Sequence, residues 1–205
     1  MFSMKTYLLL SSICLSVASS LASPSSITPS WHQENRNRLA DGNVVVFPPS
    51  KTPSSGAQLA AAIHMDASCE EIWRVITDPE KSTRYLRNVK EAHLIKSNGN
   101  SQLVSHTIRP GLLPVSISYR FQNFQTPCSQ VRFKMVDGDL RDFQGSWQLI
   151  DGATLGLKGG TVVFYQLFLD PGDILPQGLV RKNLSRNVPQ MLESLRDRVY
   201  SLQRA

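Results

Sequence analysis

Few side chains in this 205-residue chain could do chemistry, and their spacing matches no familiar catalytic arrangement. There is no Gly-x-Ser-x-Gly elbow, no phosphate-binding Gly-x-x-x-x-Gly-Lys, no His-Glu-x-x-His and no Cys-x-x-Cys. The four histidines, His32, His64, His93 and His106, are scattered, and a metal site would need them to converge with a carboxylate. Asp137, Asp139 and Asp142 miss the EF-hand spacing, and Asp137-Gly138 reads as a turn. Gly152–Gly160 holds four glycines but joins two strand candidates instead of opening a helix, so it is a hairpin loop and not a phosphate cradle. His106 with Arg109 or Tyr119 could form one polar spot, able to orient a carbonyl or to act as an acid–base pair. No catalytic residue, metal ligand or cofactor is assigned.

The N-terminus has the layout of an export signal. Met1–Lys5 carries one positive charge, Thr6–Leu21 is uncharged and rich in Leu, Ile, Val, Ala and Ser, and Ser20-Leu21-Ala22 offers small residues for cleavage after Ala22. The alternative is an uncleaved anchor, for which the apolar core Tyr7–Val17 is short. The protein is therefore expected in a periplasmic, secreted or lumenal compartment. Two cysteines, Cys69 and Cys128, would remain there, as a disulfide or as two separate thiols. The net charge of +6 is scattered and lacks the dense basic face of a nucleic-acid reader. It is compatible with transient contact at an anionic membrane surface.

Residues 23–38 read as a flexible Ser/Pro-rich leader in which Trp31–Leu39 could make one or two helical turns. Val44–Phe47 is a short β-like run. Gln58–Met65 is an apolar strand candidate. Asp66 or Ser68 can cap a helix carrying Ile72, Trp73, Val75 and Ile76, and Asp78-Pro79 stops it and starts a second short one. From Val89 to Leu169 the period is two, with turns at Asn98-Gly99, Pro110-Gly111, Thr126-Pro127, Asp137-Gly138 and Asp151-Gly152. Thr161–Leu169 is apolar on both faces. After Pro176 the apolar residues recur at spacings of three and four, which predicts a long amphipathic helix interrupted near Pro189.

A strongly twisted antiparallel sheet curls into a bowl, and a single helix cannot fill it. The residues expected to line the remaining space are Tyr85, His106, Tyr119, Phe121, Phe133, Met135, Trp147, Phe164 and Met191, with Phe168 on the same expected face as Phe164. Access is expected between the C-terminal helix and the loops around Tyr85–Arg87 and Pro110–Pro114.

Four segments carry a family resemblance: Leu39–Val46 (LADGNVVV), Ala61–Asp78 (AAIHMDASCEEIWRVITD), Gly145–Leu149 (GSWQL) and Tyr165–Lys182 (YQLFLDPGDILPQGLVRK). Over about residues 39–203 the chain resembles the START-like, helix-grip superfamily, which includes polyketide cyclase/dehydrase and coenzyme-Q-binding domains. The resemblance implies an α+β helix-grip fold. Its curved antiparallel sheet would have about six to seven strands, with two short helices and a long C-terminal helix over the concave face, in one domain spanning 39–205. It further implies a protein that binds a hydrophobic small molecule or lipid and, as a rule, does no chemistry on it; the chain is expected to be a monomer and, on its scattered charge, to bind no nucleic acid. Glu80–Arg87 departs from the aromatic, proline-rich segment of the coenzyme-Q-binding branch, which counts against a quinone specifically. The alternatives are a cyclase or dehydratase acting on an aromatic or polyketide-like substrate in the same cavity, and a partner-binding domain with a filled core.

Overall fold

The computed structural model describes residues 29–49, 51–109 and 115–204. The expected signal segment, the start of the leader and the 110–114 rim lie outside the described residues. Helix α1 (Gln33–Ala40) leads into β1 (Val45–Phe47) and β2 (Ala57–Met65). Helix α2 (Cys69–Ile76) and a 3-10 helix (Pro79–Arg84) follow. Six strands come next: β3 (Val89–Asn98), β4 (Ser101–Ile108), β5 (Ile117–Thr126), β6 (Gln130–Gly138), β7 (Asp142–Asp151) and β8 (Thr161–Asp170). Helix α3 (Gln177–Gln203) ends the chain. All strands join one antiparallel sheet in the order β1-β2-β8-β7-β6-β5-β4-β3. This is a helix-grip fold with eight strands, one more than the upper expectation. The extra strand is the Val44–Phe47 run, which pairs with β2 through Val45–Ala62 and Phe47–Ala60.

The path from β2 to β3 must cross from an inner strand to the far edge of the sheet, and α2 with the 3-10 helix makes that crossing. Local sequence specifies both starts. Ser68 Oγ accepts from Glu71 N at 3.3 Å while Ser68 N donates to Glu71 Oε2 at 2.7 Å, a reciprocal capping box. Asp78 accepts from Lys81 N at the head of the 3-10 helix, where Pro79 has no N–H to lose. Cys69 and Cys128 are joined in a disulfide, with Cα atoms 5.3 Å apart, so α2 is tied covalently to the β5–β6 turn.

Two apolar clusters are formed by the described residues. The larger lies on the concave face, between the sheet, α2 and α3. The smaller lies on the convex face, where Trp31 and Leu39 pack on Phe47, Ala60, Ala62, Val162 and Phe164. It explains why β8 is apolar on both faces. It also corrects the leader: from Trp31 onward the chain is packed structure, with Trp31 meeting Phe47 and Phe164 edge-on at ring centroids of 5.5 and 6.1 Å.

Helix α3 rests against β2, whose inward side chains at Leu59, Ala61 and Ile63 include a fully buried alanine that lets the helix approach closely. The expected break at Pro189 does not occur, and α3 runs without interruption from Gln177 to Gln203. Pro189 removes one N–H, which leaves the carbonyl of Ser185 without its helical partner. Ser185 is exposed, so water can take that place, and the buried stripe Leu184, Val188, Leu192, Leu195 and Val199 holds both halves on the sheet.

Candidate ligand cavity

Because α3 sits over the β2 side of the bowl, the concave faces of β4–β8 are only partly covered. Between these faces and α3 lies a cavity of about 230 Å³. Its floor is aromatic. His106 and Phe121 meet at 4.8 Å between ring centroids, Tyr119 and Phe143 at 4.7 Å, Phe143 and Phe133 at 5.0 Å, Phe133 and Tyr165 at 6.1 Å, and Tyr165 and Trp147 at 4.3 Å. Cross-strand register makes this continuous wall: His106 stands opposite Tyr119, Phe143 opposite Leu169, and Trp147 opposite Tyr165. Gly145 makes room for it, since a Cβ there would lie 2.1 Å from the Gln166 carbonyl oxygen and 2.6 Å from Phe133 Cζ. The glycine of the Gly-x-Trp segment is thus what lets Phe133 lie flat over β7.

The remaining walls are Ile76, Pro79, Ser82 and Tyr85 on one side, and Val180, Leu184, Val188 and Met191 of α3 above. Leu86, Arg87 and Asn88 reach the rim, facing Asn183, Asn187 and Gln190 of α3.

Polar groups inside are few and neutral. His106 is 7% exposed, and burial pushes its pKa down to about 4, so at neutral pH the imidazole is uncharged, with one donor and one acceptor. Its Nε2 lies 3.5 Å from Ser82 Oγ, the long end of a hydrogen bond. Tyr85, Tyr119 and Tyr165 are 3%, 5% and 6% exposed, and desolvation raises all three phenols above their usual range. The charge of Asp78 adds to the effect at Tyr85, and the proximity of Tyr119 and Tyr85 adds to it at Tyr165. None of the three hydroxyls has a hydrogen-bond partner among the described residues, nor does the side chain of Asn123, which is 7% exposed and also lines the cavity.

Seven of the nine residues expected at the site border this cavity: Tyr85, His106, Tyr119, Phe121, Phe133, Trp147 and Met191. Two do not. Phe164 points to the convex face and packs with Phe47, while its neighbours Tyr165 and Leu167 face the cavity. Phe168 shares the parity of Phe164 and likewise misses it. Met135 packs at the margin of the concave cluster but lies beyond Lys134–Gln144, the last β6–β7 pair, where β6 has left the floor. Arg109 is exposed, with its backbone N–H on the Asn88 carbonyl. Tyr165, Phe143 and Asn123 were not anticipated. Counting back from the β7–β8 loop, which pairs Asp151 with Thr161, would have put Tyr165 opposite Trp147.

The other chemistry-bearing residues have local roles. His64 Nε2 lies 2.7 Å from the Gly159 carbonyl oxygen, and His93 is exposed on β3. Asp139 accepts from Ser118 N, and Asp137 pairs with Arg120. The one Cys/Glu cluster among the described residues, Cys69, Glu70 and Cys128, has both sulfurs committed to the disulfide.

The sequence profile described as polyketide cyclase / dehydrase and lipid transport matches residues 65–196. No curated protein matches the sequence significantly. Among solved structures, a STAR-related lipid transfer protein from Xanthomonas axonopodis superposes with a TM-score of 0.64 at 16% identity, covering 77% of this chain and 92% of its own. The Zhui aromatase/cyclase of a Streptomyces species gives 0.59 at 10% identity, covering 70% and 93%. A START superfamily protein from Mycobacterium smegmatis gives 0.59 at 14%, covering 71% and 98%. At these identities the structural likeness speaks for the fold. The profile match spans more than half of the chain, which therefore belongs to the polyketide cyclase / dehydrase and lipid transport family.

Proposed function

We propose that the protein is an exported carrier that holds a hydrophobic small molecule in the cavity between the sheet and α3. The observation that carries this reading is the cavity itself, an aromatic chamber left between the sheet and α3 because the helix packs closely on β2 and roofs the rest of the bowl without filling it. Apolar area removed from water, at about 25 cal/mol per Å², supplies the affinity. The few inward polar groups orient the guest. Quinones are one class of such guests. Export is supported by the charge and apolar pattern of residues 1–22 and by the Cys69–Cys128 bond, since disulfides persist in oxidising compartments. Transient contact with an anionic membrane is supported by Arg87 and Arg109, exposed beside the mouth with no ion-pair partner among the described residues.

A second reading, a cyclase or dehydratase, is favoured by one observation. The neutral imidazole of His106 stands beside Tyr119, ring centroids 5.9 Å apart, in a largely apolar cavity where it could relay a proton. Native mass spectrometry of protein recovered from its exported compartment, with organic extraction, separates the two. A stoichiometric apolar molecule supports the carrier. A protein that is empty and also fails to take up the neutral dye Nile red overturns it. A product that accumulates with the wild type but not with His106→Gln would establish the enzyme.

A further inference from the structure

The carrier reading leaves the ligand's chemistry open, but the cavity constrains it by size, charge and hydrogen bonding. At about 230 Å³ it is smaller than the roughly 300–1,000 Å³ clefts that hold drug-sized ligands. It is larger than the roughly 150 Å³ apolar cavity that takes up benzene. One or two fused rings fit that interval, and a lipid with two acyl chains does not.

Charge is the second constraint. Arg87 is the one charged side chain among the described lining residues, and it stands exposed at the rim. A carboxylate or phosphate bound on the aromatic floor would be desolvated without a cation beside it, which is strongly unfavourable.

Hydrogen bonding is the third. Buried polar side chains are normally paired. Here three tyrosine hydroxyls and one amide, from β5, β8 and the residue that ends the 3-10 helix, reach the same cavity with no hydrogen-bond partner among the described residues. Purely apolar packing would have been served by phenylalanine, which stands at Phe121, Phe133 and Phe143 in the same floor.

From these three constraints we infer that the ligand is a neutral compound of one or two rings carrying at least two oxygen functions, which hydrogen-bond to the hydroxyls of Tyr85, Tyr119 and Tyr165 and the amide of Asn123. The inference rests on the carrier reading and narrows it: the aromatic floor holds the ring system and the hydroxyls select oxygenated over bare hydrocarbon rings. It excludes two-chain lipids and anions.

Equilibrium dialysis of the full-length exported protein against naphthalene, 2,7-dihydroxynaphthalene and 2-naphthoate tests it, alongside incubation with phosphatidylcholine vesicles followed by lipid analysis of the re-isolated protein. The diol should bind at least about tenfold more tightly than naphthalene, a 1.4 kcal/mol preference, and at least about tenfold more tightly than the naphthoate. In the double variant Tyr119→Phe/Tyr165→Phe the diol should lose its advantage while naphthalene binding is unchanged. That unchanged binding shows that the variant has folded and its cavity is intact. Equal affinity for naphthalene and the diol, a preference that survives in the variant, tighter binding of the naphthoate, or one phosphatidylcholine retained per protein would each overturn the inference and leave the carrier reading standing. Failure of every probe to bind overturns both.

Discussion

The neutrality of the cavity is measurable through His106. Its folded pKa of about 4 lies below the ordinary histidine value of 6.5 because burial disfavours the imidazolium. Above pH 6.5 the imidazole is uncharged folded or unfolded and costs nothing. Between pH 6.5 and 4 the unfolded chain takes up a proton that the folded chain does not, so stability falls as pH falls through that window. With those two values the linkage integral from pH 7 to 4.5 comes to about 2 kcal/mol. The exposed carboxylates of Glu71 and Asp137, whose pKa values are lowered by hydrogen bonds from Ser68 and Arg120, also lose their contribution on acidification, so the wild type alone cannot isolate the effect. The comparison needed is with His106→Gln, which keeps a polar side chain and removes the titration. Urea unfolding at pH 7 and pH 4.5 should show the wild type losing about 2 kcal/mol more than the variant, within the two-state approximation. An NMR titration should find the His106 ring still neutral at pH 5. Parallel losses in the two proteins, or a ring that titrates near 6.5, would mean that water fills the cavity at neutral pH, and the case for an apolar guest would fail with it.

Three further outcomes follow from the packing. Phe133→Ala removes a ring stacked between Phe143 and Tyr165 and should cost about 3–5 kcal/mol in denaturant unfolding, with weaker uptake of the diol by whatever protein remains folded. Gly145→Ala forces a methyl group against the Gln166 carbonyl and the Phe133 ring. It should destabilise by about 1–3 kcal/mol, and a neutral result would show that the close approach is not tight. Replacing Cys69 and Cys128 together by alanine opens a cross-link spanning 59 residues, for which the chain-entropy estimate is a loss of about 4 kcal/mol, read as a lower melting temperature than the oxidised wild type.

Where the chain carries a two-residue alternation, the sequence was enough to place strands and to choose faces. Tyr119 and Phe121 alternate with Ser118, Arg120 and Gln122, and the structure turns the aromatic residues inward. Local capping chemistry was equally legible at Ser68 and Asp78. Faces are not legible where burial on both sides erases the alternation. In β8 the run Val162, Val163, Phe164, Tyr165 offers no polar face, so parity cannot be read from the strand alone, and Phe164, expected in the cavity, belongs to the convex cluster. The helix at Pro189 failed for a different reason: propensity argued for a break, but tertiary packing on both sides of the proline outweighed it.

The position of the cavity has a physical origin that β2 already carries. Its run Ala60-Ala61-Ala62 is wholly buried, with Ala61 under α3 on the concave side and Ala60 and Ala62 in the convex cluster with Leu39. Alanine is the residue that lets layers close on both faces of one strand, so the helix must settle there. The large side chains of β5–β8 then face a space that α3 roofs without filling. Small residues on one strand and aromatic residues on the others are therefore two halves of one arrangement, the first fixing where the helix lies and the second furnishing the surface it leaves uncovered. A bulky substitution at Ala61 tests this. Ala61→Leu should push α3 away from β2 and destabilise the fold by about 1–3 kcal/mol. Because the displacement widens the mouth, it should also speed release of a bound ring compound. Slower release at equal stability would show that access does not run past α3.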